Sequence, residues 1–216
     1  MRVKIENHVL ADVPFEPDNM GPALSPEILI LHYTATRFGP ATVRSLQHES
    51  QKASVHLVVH PDGLITQMVP FNRVAWHAGK SSWGGRRSCS NFSLGIEIVN
   101  PGPIKNDRKT LVIEYDQHNG RPYPHMRPWD GDVVEARHAD ERCPYRFWCP
   151  YPDVQMDTVA KLCRLLVDAY GLACVTGHEV VAPGRKIDPG PAFPWAGLVA
   201  EGLPIDEACY DPMGGS

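Results

Sequence analysis

Two histidines and one aspartate of this chain are residue types that bind a hydrolytic metal ion. A catalytic zinc site takes three protein ligands from His, Asp, Glu or Cys and leaves a fourth position open for water. His32 and His178 each follow a strand-like run, and Asp188 lies ten residues after His178 in a loop rich in proline and glycine. A stiff loop can hold a ligand at ~2.0 to 2.2 Å from zinc. The three residues are therefore candidate zinc ligands, although such residues also occur by chance in chains of this size.

Two short apolar runs predict the strands that present the histidines. Residues 28–33 form a β-rich run that places His32 near its carboxyl-terminal end. Residues 173–176 form a second run, and His178 lies just beyond it. Because neighbouring strands bring together side chains that are distant in sequence, both histidines are expected at one edge of a sheet.

A hairpin is predicted between these strands. Residues 55–60 and 64–69 are strand-like runs separated by Pro61-Asp62-Gly63, whose proline and glycine supply the dihedral angles of a tight reversal. His56 and His60 alternate with apolar residues in the first run, so they share one face and are interpreted as structural.

One more strand and two helices complete the predicted fold. Residues 93–99 predict a strand whose alternation places Glu97 on the face opposite three apolar side chains, Leu94, Ile96 and Ile98. Residues 41–51 predict a helix, and residues 153–170 predict a longer one with an apolar stripe and Gly171 as its stop. The fold class expected is α/β, with a central mixed β-sheet flanked by helices on both faces.

Residues 101–152 follow no sustained period, because prolines, histidines and charges recur irregularly. We interpret this stretch as an insertion that runs over the surface of a single domain spanning 1–216, whose motifs occupy about 25–200. A second metal site is conceivable in the insertion, but its spacing matches no familiar zinc pattern, and we favour loop packing for its candidates, His138, Cys143 and Cys149.

Composition excludes several functional classes. The 216 residues carry a net charge of -4 and no dense basic block, so nucleic acid is not an expected partner. Charges at Arg2, Lys4 and Glu6 interrupt the apolar core that a signal peptide needs, and no stretch is long enough to span a membrane. We therefore expect a cytoplasmic protein without a membrane anchor, with six cysteines that form no structural disulfide. We also expect it to be a monomer.

Four motifs carry a family resemblance. LILHYTA at 29–35, SVHLVVHPDGLITQMVPFNRVAWHAG at 54–79, NFSLGIEIVN at 91–100 and GHEVVAPGRKIDPGPAFPW at 177–195 resemble, in order, the motifs of AmpD-like N-acetylmuramoyl-L-alanine amidases. That family includes cytosolic wall-recycling enzymes, phage endolysins and, more distantly, peptidoglycan recognition proteins. The resemblance implies zinc-dependent hydrolysis of the amide between the lactyl group of N-acetylmuramic acid and L-alanine, in peptidoglycan or in muropeptides.

The resemblance also implies roles for individual residues. It makes His32, His178 and Asp188 the zinc ligands, Glu97 the catalytic acid-base residue and Lys186 the cation that stabilises the oxyanion. A solvated basic turn is the alternative for Lys186, which follows Arg185. The resemblance places Trp76 and His77 near the groove for glycan and peptide, although core and turn positions are the alternative for both.

Three departures from the family pattern bear on the substrate. Ser88 stands where recycling enzymes offer an arginine to the peptide carboxylate, so Arg86 or Arg87 is expected to bind substrate instead. Tyr33 follows His32 as in broader-specificity and phage-type members, and with Ser88 it favours the intact wall as substrate. Val55 occupies the position of a catalytic tyrosine found in distant phage members, which leaves Glu97 alone among side chains for acid-base work.

Competing functions stay open at this point. A peptidoglycan-binding module without catalysis is one alternative, and the three intact candidate ligands argue against it. A zinc peptidase is another. Within the amidase family, an endolysin that leaves the cell through a holin and a recycling enzyme use the same chemistry.

Overall fold

A mixed β-sheet forms the centre of the protein. The structure is a computed structural model that describes residues 3–37, 39–48, 52–107, 110–113 and 127–210. Within them the central sheet has five strands in the order β14-β3-β8-β4-β5. These are β3 (Ile28–Tyr33), β4 (Leu57–Val59), β5 (Ile65–Gln67), β8 (Ser93–Ile98) and β14 (Cys174–Gly177). Only β5 runs antiparallel to its neighbour, β4, as the predicted hairpin requires.

One face of this sheet packs against the longest helix. Helix α2 (Asp153–Tyr170) has the predicted bounds, and its apolar stripe enters the main core with the odd-numbered residues of β3, such as Leu29, and the even-numbered residues of β8, such as Ile96. The helix ends at Gly171, whose φ of 62° lies in the left-handed region that glycine adopts without strain. A short helix, α4 (Trp195–Ala200), packs into the same core.

The opposite face is covered by smaller elements. Helix α1 (Gly39–Leu46) contributes Val43 to a cluster with Val58, and α3 (His178–Val181) contributes Val181 to another with Ile30. The predicted helices on both faces are therefore confirmed. Helix α1 begins earlier than predicted because Pro40 fits the first turn, where the amide N–H has no helical partner; residues 49–51 lie outside the described residues.

The insertion contains a second sheet, whereas its sequence pattern predicts an irregular excursion. Its described strands are antiparallel in the order β11-β10-β9-β13-β12. They are β9 (Pro103–Asp107), β10 (Thr110–Ile113), β11 (Arg127–Pro128), β12 (Val134–Glu135) and β13 (Phe147–Trp148). These strands have two to five residues, and β9 and β11 contain proline, so they are too short and irregular to show a period of two in the sequence.

Two small hairpins lie outside both sheets. They pair β1 (Ile5–Glu6) with β2 (Val9–Leu10) and β6 (Ser82–Trp83) with β7 (Arg86–Arg87). All six cysteines are free thiols. Among the described residues, no helix combines the length and apolar character needed to cross a membrane.

Candidate metal centre and active site

Three side-chain atoms converge at the carboxyl-terminal edge of the central sheet. Nδ1 of His32 lies 2.8 Å from Nδ1 of His178 and 3.1 Å from Oδ2 of Asp188, and the latter two atoms are 2.9 Å apart. All three residues are buried. A tetrahedral ion with ligands at ~2.0 to 2.1 Å keeps its ligand atoms about 3.3 Å apart. The three atoms therefore fit a metal ion after a small outward movement.

The strands and one loop position these atoms. His32 is the fifth residue of β3, and β14 runs parallel beside it with Gly177 paired to Leu31, so His178 begins α3 next to His32. The loop that follows is tied back on itself, because the N–H of Glu179 donates to the carbonyl oxygen of Asp188 at 2.9 Å. Asp188 is thereby held against the start of α3.

The remaining ring nitrogens of both histidines have partners on one segment. Nε2 of His32 lies 2.9 Å from Nδ1 of His77, and Nε2 of His178 lies 3.2 Å from the carbonyl oxygen of Ala78. A histidine that binds metal through Nδ1 carries its hydrogen on Nε2, so each ring donates to residue 77 or 78. A guanidinium N–H of Arg185 also donates to the Ala78 oxygen at 2.7 Å and holds this segment in place.

His77 is half-buried and lies against His32. Its Nδ1 faces His32, and its Nε2 lies 3.2 Å from Oγ of Ser93. The ring covers Gly95 so closely that a Cβ there would lie 2.6 Å from it. Both ring nitrogens are engaged, so His77 orients His32 and has no nitrogen free for a substrate. A glycine within a strand often marks such a close approach. Gly95 is therefore the sequence feature that could have indicated the position of His77.

The other three residues expected to bind substrate are on the surface. Trp76 is 38% exposed and packs over Gly21. Arg86 donates to Glu27 at 2.5 Å, and its guanidinium stacks 3.9 Å above the ring of Phe92. Arg87 is exposed in the β6-β7 hairpin.

Glu97 lies on the same face of the sheet as His32. It is paired with His32 across β3 and β8, and with Val58 across β8 and β4. Its Oε2 atom is buried and has no hydrogen-bond partner among the described residues. Burial and then the negative charge of Asp188 raise the pKa of Glu97 to about 8, while the positive charge of Lys186 opposes the rise. Glu97 is thus an unpartnered carboxyl group beside the three converging atoms.

Charge differs sharply among the three candidate ligands. Burial, the neighbouring His178 and Lys186 lower the pKa of His32 to about 4, so the ring is neutral and available as a ligand. Burial works against ionisation of Asp188, but the charges and hydrogen bonds of His178 and His32 outweigh it and hold the pKa of Asp188 below its ordinary value. The set therefore offers two imidazole nitrogens and one carboxylate.

Tyr33 lies on the other face of the sheet from His32. Alternation along β3 directs it toward the insertion, where a Cβ at Gly102 would lie 2.7 Å from its ring. Its side chain therefore lends no support to the expectation of a larger substrate.

The histidines interpreted as structural have structural partners. Nε2 of His56 lies 2.9 Å from the carbonyl oxygen of Arg73, and Nε2 of His60 lies 2.9 Å from Oγ1 of Thr66. His138 pairs with Glu179 at 2.7 Å. In the part of the chain that the structure describes, a single group of three or more ligand-type residues converges, and it is the one formed by His32, His178 and Asp188.

The sequence profile described as N-acetylmuramoyl-L-alanine amidase matches residues 22–191. This chain belongs to that family. It is 33% identical over 147 residues to the 1,6-anhydro-N-acetylmuramyl-L-alanine amidase AmpD of Escherichia coli K12. The aligned region covers 67% of this chain and 56% of that protein. The chain thus spans about half the length of the curated relatives it matches.

Solved structures share the fold. A crystal structure of a selenomethionine derivative of AmpD has a TM-score of 0.64 and 25% identity, and the match covers 91% of this chain and 98% of that one. AmpDh3 of Pseudomonas aeruginosa, in complex with an anhydromuramic pentapeptide, has a TM-score of 0.57 and 26% identity, with 84% of this chain and 62% of that one covered. The predicted fold class and family are confirmed.

Proposed function

We propose that this chain is a zinc-dependent N-acetylmuramoyl-L-alanine amidase. It hydrolyses the amide between the lactyl group of N-acetylmuramic acid and L-alanine. The observation that carries this proposal is the convergence of His32, His178 and Asp188 within 3.1 Å beside the unpartnered carboxyl of Glu97. Family membership supports the same reaction.

The residues at the centre suit zinc. Two imidazole nitrogens and one carboxylate oxygen form a three-ligand set, which is the composition of open catalytic zinc sites. Zinc held by these residues would lower the pKa of a bound water to about 7 and would polarise a carbonyl oxygen. The hydrogen bonds from His32 to His77 and from His178 to Ala78 hold both rings with Nδ1 toward the point where the three candidate ligand atoms converge.

Glu97 acts as the general base and then the general acid. Burial raises the pKa of Glu97 to about 8 in the metal-free protein, and a divalent cation held by the three ligands would lower it toward neutral pH, where a carboxyl group both accepts and releases a proton readily. The carboxylate takes a proton from the attacking water as the water oxygen bonds to the lactyl carbonyl carbon. It then gives that proton to the alanine nitrogen as the C–N bond breaks, and the second proton of the water passes to the released amine, which leaves a lactyl carboxylate and an alanine ammonium group.

Lys186 stabilises the charge that develops on the carbonyl oxygen during attack. Its half-buried side chain lies close enough for its positive charge to lower the pKa of both Glu97 and His32. A cation fixed there stabilises an oxyanion more in the transition state than in the ground state, which accelerates the reaction.

We propose soluble anhydromuropeptides as the substrate class. The E. coli relative is named for cleavage of 1,6-anhydro-N-acetylmuramyl-L-alanine, and the AmpDh3 structure contains an anhydromuramic pentapeptide. The expectation of intact wall rested on Ser88 and on Tyr33, and the ring of Tyr33 packs against Gly102 on the far side of the sheet. Action as a monomer in the cytoplasm stays a prediction.

One experiment separates the competing functions. Purified protein with one equivalent of zinc is given an anhydromuramyl tripeptide, intact sacculi, or the free peptide L-Ala-γ-D-Glu-L-Lys, and the products are identified by mass spectrometry. We expect release of the intact tripeptide from the first substrate, release from sacculi at least about tenfold slower, and no cleavage of the free peptide. Cleavage of the free peptide identifies a peptidase, and binding of sacculi without turnover identifies a recognition module; either result overturns the proposal.

A further inference from the structure

A cavity of about 660 Å³ lies beside Lys186, between the insertion and the loop that carries Asp188. Residues 137–140 and Arg142 of the insertion form one wall, and Pro183, Gly184 and Lys186 form the other. Val180, Phe193 and Trp195 supply an apolar floor. The volume lies within the range of about 300 to 1,000 Å³ that small-ligand sites occupy.

Direct contacts hold the walls of this cavity together. Nε2 of His138 lies 2.7 Å from a carboxylate oxygen of Glu179, and both side chains are largely buried. The hydroxyl of Tyr151 donates to the carbonyl oxygen of Pro189 at 2.8 Å. The guanidinium of Arg142 covers Gly184, where it occupies the space of a side chain. The insertion and the loop therefore form a preformed site.

The charges that line the cavity do not cancel. Asp140 is paired with Arg142 at 2.8 Å, and Glu179 is paired with His138, so both lining carboxylates have partners. Arg137 and Lys186 are also in the lining, and among the described residues neither forms an ion pair. Two unpaired cations above an apolar floor favour a ligand that has an apolar body and a negative charge.

Lys186 connects this cavity to the candidate active site. It lines the cavity and lies two residues before Asp188, and Glu179, which directly follows His178, lines the cavity as well. A substrate whose scissile amide lies beside Glu97 extends from that point in two directions. The anhydromuramyl arm has no ionised group, whereas the peptide arm L-Ala-γ-D-Glu-L-Lys has the free α-carboxylate of its γ-linked D-glutamate and a terminal carboxylate against a single lysine ammonium, so it is net negative. Charge therefore assigns the peptide arm to the cavity.

We propose that this cavity binds the peptide arm of the substrate and that Arg137 binds the α-carboxylate of the residue after L-alanine. The proposal rests on the proposed function and names the part of the chain that selects the peptide. The insertion is then the specificity element of the enzyme.

Paired substrates and variants test this inference. One substrate is anhydromuramyl-L-Ala-γ-D-Glu-L-Lys, and the other has the α-carboxylate of glutamate amidated. For Arg137→Ala we expect KM on the first substrate to rise about tenfold, as for loss of one charge-assisted hydrogen bond, with kcat changed less than twofold. Amidation should impair the wild type by the same factor and leave Arg137→Ala unaffected. Arg146→Ala is the matched control, since Arg146 is an exposed arginine of the insertion outside this cavity.

Each other outcome overturns the inference. Equal losses on both substrates show that Arg137 does not contact the carboxylate, and unchanged KM shows that the peptide arm lies elsewhere. If the wild type cleaves neither substrate, the proposed function fails, and calorimetric titration with free L-Ala-γ-D-Glu-L-Lys tests the cavity independently. Weaker binding to Arg137→Ala than to Arg146→Ala then supports the cavity as a peptide site, and equal binding overturns it.

Discussion

His32 and Glu97 are register partners in the adjacent parallel strands β3 and β8. Because side chains alternate along a strand, paired residues in neighbouring strands project from the same face about 4.8 Å apart. The candidate metal ligand and the candidate base are therefore fixed relative to each other by backbone hydrogen bonding. Val58 of β4 is the register partner of Glu97 on its other side and has no ionisable group. Among the three paired positions, Glu97 is therefore the acid-base residue.

Metal content gives the first prediction. We expect one zinc per chain, and we expect His32→Ala and His178→Ala each to remove zinc and activity, because two ligands hold the ion far less tightly than three. His60→Asn is the control, since His60 pairs with Thr66 and is absent from the converging group. Elemental analysis of dialysed protein measures the content. A full equivalent of zinc in His32→Ala contradicts the assigned ligand set.

The second prediction concerns the role of Glu97 in turnover. Glu97→Gln keeps the shape of the side chain and removes its ability to take a proton. We expect kcat on an anhydromuramyl peptide to fall by about 100-fold or more, with zinc still bound. Steady-state kinetics and zinc analysis of the same sample test this. Near-normal turnover rules out Glu97 as the general base. Loss of zinc instead shows that Glu97 supports the metal site.

The third prediction is a pH dependence of stability in metal-free protein. Burial raises the pKa of Glu97 from 4.5 to about 8 in the folded state, while the unfolded chain keeps the ordinary value. Ionisation therefore disfavours the folded state increasingly as the pH rises from about 4.5 to about 8. Over that interval, the unfolding temperature of metal-free wild type should fall relative to that of metal-free Glu97→Gln. Thermal unfolding at pH 5 and pH 8.5 measures the difference, and a difference that does not change with pH refutes the raised pKa.

The predictability of this protein from its sequence varies between its parts. The alternation in SLGIEI predicts the face of Glu97, and the apolar stripe of residues 153–170 predicts α2, because each pattern extends over at least six residues. The sheet of the insertion has strands too short for such a pattern. The contact between His77 and His32 joins residues 45 positions apart, and only tertiary packing determines it.

The fourth prediction tests the hydrogen bond between His77 and His32. His77→Leu removes the acceptor for Nε2 of His32, whereas His77→Asn offers an amide oxygen near the position of Nδ1. We expect the zinc dissociation constant to rise about 10- to 100-fold in His77→Leu and to recover largely in His77→Asn. Competition with a chelating dye measures it, and thermal unfolding of metal-free protein monitors the fold. Equal affinity in the two variants, or wild-type affinity in both, refutes the orienting role.

The last prediction concerns Lys186, whose proposed action is confined to the transition state. We expect Lys186→Ala to lower kcat by about 100-fold or more with zinc content unchanged and a smaller effect on KM, because the charge it meets develops only during attack. An effect on KM alone means that Lys186 holds a substrate carboxylate in the adjoining cavity. Lys186→Arg is the sharper test, since it keeps the charge but replaces a compact ammonium with a planar fork of different reach. Substantial impairment of that variant supports a fixed position for the cation, and full activity shows that any nearby positive charge suffices.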